Sequence, residues 1–422
     1  MRTRMAPFSG LVAAVVTMLA WAAPVGAQQV VKLAEGETLT ISGFLSASFF
    51  TDNGFFSNFG QGQNAEYAAA PVAGGAGQPG NKRAFMDGDI RNTRIRFEFA
   101  SQPVVGRWAP KGVLEADFFG SFVGAGAPPF QDEQPQLRGR LLYADMSNGP
   151  TTVRIGQFWA PLFAEVPVSL THIAFPLGYG SAGMIGWRFP GVFLYHDLSG
   201  AGASISSQLQ LAVMKGSGPI VAGSAVDVTN NIGNGEASAL PQLEARLNFG
   251  KTSGKMKWSA YVVGHVDWKD TVGNGGVDSA SNMMGEAVEV GGSIVIGQLT
   301  VHGNFYDGKA IGQEFAFITQ NAPGQGNIKG YGAWVQAGYD FTPHWSLWAF
   351  YGLDQPDYKT FATNQLPAVV PLPRQGSHDG DALVRWRAGR YAVGLEYFWN
   401  VTRWNTGVGK AGQLALSMQY IL

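Results

Sequence analysis

The chain has 422 residues with a net charge of −1; 14% are charged, 12% are aromatic, 58 are glycine and none is cysteine. Soluble domains carry closer to about a quarter charged residues, yet the mean hydropathy is +0.00, which excludes a bundle of membrane-spanning helices. The small net charge predicts no nucleic-acid partner, and without cysteine there is no disulfide or thiolate chemistry.

The N-terminus has the pattern of a secretory signal. Arg2 and Arg4 precede an apolar run from Leu11 to Ala23, which is too short to cross a bilayer comfortably. Small residues follow, so we predict a cleaved signal peptide over residues 1–27. An N-terminal anchor helix is the alternative. Residues 28–37 are predicted to be a short periplasmic segment, and no later stretch is apolar for long enough to be a transmembrane helix.

Segments of alternating polarity fill the rest of the chain. From Thr38 to Phe50, apolar residues such as Leu45 alternate with serines and threonines, and the final segment from Gln413 to Leu422 repeats the pattern. A period of two predicts strands. Fourteen further predicted strands cover 88–100, 111–121, 136–146, 151–159, 187–198, 203–214, 241–250, 256–268, 287–296, 299–307, 329–341, 345–354, 379–388 and 391–400.

Connections between these strands alternate between short and long. Short ones lie near 147–150, 250–255, 297–298, 342–344 and 389–390, and long ones near 51–87, 122–135, 160–186, 215–240, 269–286, 308–328, 355–378 and 401–409. This alternation predicts an all-β fold: a transmembrane antiparallel β-barrel of about 16 strands over residues 38–422, with short periplasmic turns and long extracellular loops. A soluble β-propeller would show blade repeats and evenly short loops.

Aromatic residues on the apolar faces lie close to the predicted strand ends. This placement indicates two aromatic girdles at the membrane interfaces, whereas a soluble sandwich core would hold its aromatics near mid-strand.

Charged residues on the opposite faces are predicted to line a pore. They are Arg94, Arg96, Glu115, Asp117, Arg138, Arg140, Arg154, Arg246, Arg385 and Arg387. One interpretation is a ladder of cross-strand ion pairs that stabilises the wall. The other is an electrostatic ladder that guides anionic solutes, since arginine binds carboxylates and phosphates with a planar fork. Both can hold, because charges on the wall always shape the field in the pore.

The third long loop, residues 160–186, is apolar and punctuated by prolines. We predict that it folds into the lumen as a constriction loop, with Glu165 and His172 as its only side chains that could carry charge. Alternatively, it caps the barrel mouth or packs against a neighbouring subunit.

No catalytic motif is evident. The six histidines are scattered, and the HExxH and GxSxG patterns of zinc hydrolases and esterases are missing. The chain is therefore predicted to be no enzyme, with no cofactor and no metal site.

Five segments resemble porins. GETLTISGFLSASFF (36–50) is similar to the first strand of trimeric porins, and NTRIRFEFA (92–100), GVLEADFFG (112–120), QLRGRLLYADM (136–146) and TTVRIGQFWAPLF (151–163) resemble the DcaP-like porin family. The resemblance covers about the first third of the mature chain. It implies a homotrimeric, 16-stranded outer-membrane channel for small, often anionic, organic solutes.

The resemblance also implies that Arg94, Arg96, Arg138, Arg140 and Arg154 contribute to selectivity. This chain departs from the family in two places. It has only residues 28–35 where the family has an N-terminal helical extension, and it ends in Leu422 where many outer-membrane proteins end in phenylalanine.

The predicted function is passive diffusion of small hydrophilic solutes across the bacterial outer membrane, with a preference for anions such as dicarboxylates. The predicted partners are membrane lipid, lipopolysaccharide, small-molecule solutes and further copies of the chain. Two alternatives stay open: a sugar or oligosaccharide channel that uses Trp334 and Trp348 as stacking platforms, and a non-conducting structural barrel.

Overall fold

The fold is a closed antiparallel barrel of 16 strands, in which each strand pairs with the next along the chain. A computed structural model describes residues 29–57, 64–71, 84–120, 134–200, 202–218, 232–270, 283–316, 328–357 and 374–422. The predicted signal peptide and most of the first and Pro-rich long loops lie outside these residues. The structure confirms the predicted fold class and strand number.

The strands are numbered β1 to β16 in chain order. They are Glu37–Asp52, Phe85–Asp89 with Arg94–Ala100 (the two parts of β2), Ala109–Asp117, Arg138–Asn148, Thr151–Trp159, Arg188–Asp197, Ser206–Met214, Gln242–Ser253, Met256–Lys269, Met283–Ile296, Leu299–Lys309, Lys329–Asp340, Trp345–Pro356, Arg374–Ala388, Tyr391–Trp404 and Gly407–Ile421. Outside the barrel ring, the described residues include a short helix, Asn234–Ala237, a 3-10 turn, Gly312–Glu314, and a small hairpin, Phe56–Ser57 with Tyr67–Ala68. No helix in the described part of the chain is long and apolar enough to cross a membrane.

Two chain segments share the seam that closes the ring. β16 pairs with the second half of β1, from Ile421 opposite Phe44 onwards. A strand from Gln29 to Ala34 pairs with the first half of β1, so most of the predicted 28–37 segment is a strand. Gly43 lies where the two meet, and its carbonyl oxygen accepts a hydrogen bond of 2.9 Å from the Leu422 amide. Both ends of the chain therefore contribute to closure.

The outer surface is apolar and the inner surface is polar. In β1, Leu45 and Phe49 are exposed, whereas Ser46 and Ser48, which alternate with them, are buried. Alternation places successive side chains on opposite faces of a strand. The inverted arrangement, with apolar side chains outside and polar ones inside, suits a barrel surrounded by hydrocarbon.

The last predicted long loop, 401–409, is wrong. β15 continues to Trp404 and β16 begins at Gly407, so only Asn405 and Thr406 connect them. Gly407 has φ +138°, a backbone conformation that favours glycine at this tight turn. The strand β15 continues up to this turn, whereas the sequence-based prediction ended the strand too early, at residue 400.

Gly43 generates the first prediction, because its backbone is strained for any other residue. It has φ +133°, and an added Cβ would lie 2.1 Å from the Arg94 carbonyl oxygen. We expect Gly43→Ala to lower the free energy of unfolding by about 1–3 kcal/mol, measured as the urea midpoint of the refolded barrel in detergent. Gly112→Ala is the matched control, because nothing lies within 4 Å of the corresponding Cβ position. Equal midpoints for the two variants would contradict this account of the seam.

Candidate constriction and its charged wall

The segment predicted as a constriction loop, residues 160–186 and hereafter the inner loop, connects β5 to β6 and binds side chains around the ring. Glu244 on β8 accepts a hydrogen bond of 2.9 Å from the Leu162 amide. Gln336 on β12 accepts one of 2.7 Å from the Val168 amide. Glu396 on β15 accepts from the Leu170 and Thr171 amides. Since these partners lie on distant strands and face inward, the inner loop crosses the interior of the barrel.

A break in β2 holds the inner loop from the opposite wall. Arg91 lies between the two parts of β2 and is fully buried against Asp89. The side-chain amide of the adjacent Asn92 donates a hydrogen bond of 2.7 Å to the Thr171 carbonyl oxygen. It also accepts a hydrogen bond of 3.0 Å from the Ala174 backbone amide. A continuous strand would pair these residues along the ladder, so the break is what leaves Asn92 available to the inner loop.

The first long loop supplies a second anchor through Asn64. Its side-chain oxygen accepts hydrogen bonds from the amides of Ile173, Ala174 and Phe175, at 3.1, 3.1 and 3.3 Å. Asn64 is itself fully buried. One side chain therefore satisfies three consecutive N–H groups in a segment that has no strand partner of its own.

Aromatic packing accounts for the apolar composition of the inner loop. Tyr179 stacks against Phe315 and Trp187, with ring centroids 4.3 and 5.9 Å apart, and Phe175 stacks on Trp187 at 6.1 Å. All belong to one cluster that includes residues of the wall. The apolar side chains are thus covered by the loop itself and by the barrel.

The two titratable residues predicted in the inner loop differ in their surroundings. Burial against Phe398 lowers the pKa of His172 to about 3, so the ring is neutral at physiological pH. Glu165 is partly exposed and lies 3.5 Å from both Ser259 and His302 on the wall. His172 therefore adds no positive charge to the interior.

Arginines and acids on β2, β3 and β4 form one network. Arg140 binds Glu115 at 3.0 Å and Asp117 at 2.7 Å. Arg138 makes two hydrogen bonds to Asp117, of 2.9 and 2.7 Å. Arg94 and Arg96 both lie near Glu115, at 3.7 and 3.5 Å. A bulge between Glu115 and Ala116 shifts the register of β3 against β4 and brings Arg140 within reach of both carboxylates.

The other predicted arginines contact separate partners. Arg154 pairs with Asp145 at 2.7 Å, directly across the β4–β5 ladder. Arg246 donates 2.6 Å to Asn248 and 3.2 Å to the carbonyl oxygen of Pro161 at the start of the inner loop. On β14, Arg385 contacts Ser346 at 3.3 Å and Arg387 pairs with Asp340 at 3.3 Å. Asp145 also contacts Lys111, which in turn contacts Glu98 beside Arg96, so Arg154 extends the β2–β4 network. The other three arginines have separate positions on β8 and β14.

Sequence reasoning missed Arg188, the first residue of β6. Its guanidinium lies over the rings of Trp159 and Trp187, at 4.9 and 4.4 Å. It interacts electrostatically with Arg138 and Arg140, and two of its nitrogens, Nε and Nη1, have no hydrogen-bond partner among the described residues. Arg188 and Val192 lie an even number of positions apart on β6, and Val192 faces outward. Strict side-chain alternation would therefore point Arg188 outward as well, so the sequence gives no sign of its inward position.

Two cavities border the network and share Trp159 and Phe163, whose rings stack at 3.6 Å. One, of about 180 Å³, is lined by Arg94, Arg140 and part of the inner loop. The other, of about 420 Å³, is lined by Lys111, Asp145, Arg154 and Arg246 among others. The stacked rings therefore separate two polar spaces, each with more than one arginine on its wall.

The two tryptophans predicted as stacking platforms for sugars, Trp334 and Trp348, are buried. Trp334 is 3% exposed and Trp348 is 7% exposed. Trp334 packs against Phe350, and the ring of His302 contacts both tryptophans. Neither indole therefore presents a free face for stacking of a sugar ring.

No protein-family model matches the sequence, and no curated protein is significantly similar to it. Solved structures do match. The outer-membrane channel DcaP of Acinetobacter baumannii superimposes with a TM-score of 0.65 at 17% identity, over 93% of this chain and 99% of that one. The chain has the fold of an outer-membrane porin. An anion-selective porin from Comamonas acidovorans gives a TM-score of 0.54 at 12% identity, over 92% of this chain and 100% of that one.

The trimer form of OmpT from Vibrio cholerae is also similar, with a TM-score of 0.52 at 13% identity, over 92% of this chain and 100% of that one. At the level of fold, these matches confirm the expected likeness to DcaP. The likeness extends over the whole barrel, whereas the resembling sequence segments cover only its first third.

Asn64 generates a prediction about the anchoring of the inner loop. Asn64→Ala removes the acceptor of the Ile173 and Phe175 amides, whereas the Ala174 amide keeps Asn92 as a partner. A buried group left unsatisfied costs about 1–3 kcal/mol. We expect faster hydrogen exchange at Ile173 and Phe175, measured by mass spectrometry of the folded barrel. Asn64→Asp is the control, because it keeps the accepting oxygen and should keep the amides protected. Unchanged exchange in Asn64→Ala would show that the inner loop is held without this anchor.

Proposed function

We propose that the protein is an outer-membrane porin, a passive channel for small hydrophilic solutes that favours organic anions. The inner loop constricts the lumen, and the β2–β4 network with Arg188 provides the field that solutes meet there. The observation that carries the proposal is an excess of positive charge at this place. Five guanidinium groups lie around three carboxylates: Arg94, Arg96, Arg138, Arg140 and Arg188 around Glu98, Glu115 and Asp117.

The excess matters because paired and unpaired arginines act differently on a solute. Arg140 is 2% exposed, and its guanidinium is bound to both Glu115 and Asp117. Arg188 has free donors, and Arg94 borders the smaller cavity. A planar guanidinium with free N–H groups is suited to carboxylates and phosphates. The pairs stabilise the wall, and the surplus attracts the anion.

The solved structures with this fold support the same reading. One is an outer-membrane channel and another is an anion-selective porin. A third has a trimer form, which supports a homotrimer here. Outer-membrane location follows from an apolar outer surface on a closed barrel and from the predicted signal peptide. The lack of an enzymatic role remains a prediction from the missing motifs.

Arg188 provides the sharpest test of anion preference. Arg188→Gln removes one positive charge. At about 8 Å in water-like surroundings, a monovalent anion loses roughly 0.5 kcal/mol of attraction and a monovalent cation loses the same repulsion, so the anion-to-cation permeability ratio should fall about fivefold. We expect reversal potentials in planar bilayers, measured across a gradient of dilute salt, to show this loss. Dilute salt keeps screening weak.

Arg403→Gln is the matched control, because Arg403 is an exposed residue of β15 on the face of the outward Tyr397. It removes the same charge from outside the lumen and should leave the permeability ratio unchanged. A wild-type channel that prefers cations, or equal shifts in the two variants, would refute the proposed selectivity. An absence of single-channel steps would refute the channel itself.

A further inference from the structure

Three buried side chains meet beside the ends of the inner loop, on the wall away from the β2–β4 network. Glu244 on β8 and His265 on β9 are cross-strand partners. Glu314 reaches them from the 3-10 turn that follows β11. One carboxylate oxygen or ring nitrogen from each residue lies within 4.8 Å of the other two, and all three residues are buried. This is the spacing of side chains that share a metal ion.

One oxygen of Glu314 is without a partner. Its Oε2 atom accepts a hydrogen bond of 2.9 Å from the Trp187 amide, whereas Oε1 is buried and has no hydrogen-bond partner among the described residues. A buried carboxylate oxygen left unpaired is costly. A ligand shared with Glu244 and His265 would satisfy this oxygen.

The charges of the surrounding side chains point to a cation. Asp267 joins the cluster at 3.7 Å from Nε2 of His265, and Lys269 binds Asp267 at 2.5 Å. Nδ1 of His265 lies 2.8 Å from Oε1 of Glu244. The carboxylates of Glu244, Glu314 and Asp267 thus face one lysine and one imidazole, so a negative charge remains in a buried place even when the imidazole carries its proton. A divalent ion in place of that proton brings the total charge to zero.

We propose that Glu244, His265 and Glu314 bind a divalent transition-metal ion, with zinc as the best fit. One imidazole and two carboxylates are zinc ligands, and the imidazole disfavours calcium and magnesium. Asp267 has the position of a partner that orients the histidine: when one ring nitrogen binds the metal, the other carries hydrogen and faces this carboxylate. Lys269 in turn fixes Asp267.

The ion would fasten both ends of the inner loop to the wall. Glu244 accepts a hydrogen bond from the Leu162 amide near the start of the loop. The side chain of Glu314 accepts a hydrogen bond from the Trp187 amide, just after the end of the loop. The backbone carbonyl oxygen of Glu314 accepts a hydrogen bond of 2.7 Å from the Gly186 amide. Metal binding therefore stabilises the loop at the two points where it leaves and rejoins the barrel.

The test uses the mature chain without a histidine tag, refolded in detergent with and without zinc chloride. After desalting, zinc is measured by mass spectrometry. We expect about one zinc per wild-type chain and a loss of roughly tenfold or more in affinity for Glu314→Gln, which keeps the shape of the side chain and an oxygen for the Trp187 amide. Glu286→Gln is the matched control, because Glu286 pairs with Lys309 outside the cluster.

Protected amides supply a second readout. Zinc should slow hydrogen exchange at Leu162 and Trp187 in the wild type and in Glu286→Gln, but not in Glu314→Gln. Two results would overturn the proposal: a wild-type chain that retains no zinc, or equal retention by Glu314→Gln and the wild type. The first result requires no variant to fold, and it would mean that two protons rather than a metal neutralise the cluster.

Discussion

Closure of the hydrogen-bonded ring is the constraint on which the rest of this structure depends. A strand edge inside hydrocarbon would leave a row of unsatisfied N–H and C=O groups, so a spanning sheet must close on itself. Here the last strand meets only part of the first, and the N-terminal strand from Gln29 to Ala34 completes the pairing. Gly43 lies where the two segments meet, and on its other side β2 approaches so closely that a side chain would contact the Arg94 carbonyl oxygen.

Once the ring is closed, the side-chain alternation of each strand assigns one face to the outside and the other to the interior. The interior then has to satisfy its own polar groups. The inner loop does much of this, because its amides bind Glu244, Gln336 and Glu396 on widely separated strands. The same contacts hold the loop in place, so the wall and the loop stabilise each other.

The ion pairs in the wall explain how so many charges fit into a narrow space. Burying an unpaired charge is costly, whereas a paired and hydrogen-bonded one is tolerated. Arg140, Arg138 and Arg154 follow this rule with Asp117, Glu115 and Asp145. The proposed selectivity depends on the few guanidinium groups beyond the pairs, and on their position beside Trp159 and Phe163, more than on the number of arginines.

The sequence by itself determined the fold class, the strand number and the faces of the strands, because the alternation that encodes them is local. It also indicated that β2, β3 and β4 bring arginines and acids together, since neighbouring strands in sequence are neighbours in the barrel. The turn at Asn405 and Thr406 was missed because the strand continues up to Trp404, so the composition of the sequence does not mark where the strand ends and the turn begins.

Only the tertiary structure decided the rest. The inward position of Arg188 departs from side-chain alternation at a strand end. At the break in β2, Asn92 binds the inner loop, which follows β5 in the chain. The cluster of Glu244, His265 and Glu314 draws on two strands and a loop turn about 70 residues apart in the chain. No local pattern encodes such a meeting, because it depends on the register of the closed ring and on where the inner loop lies across it.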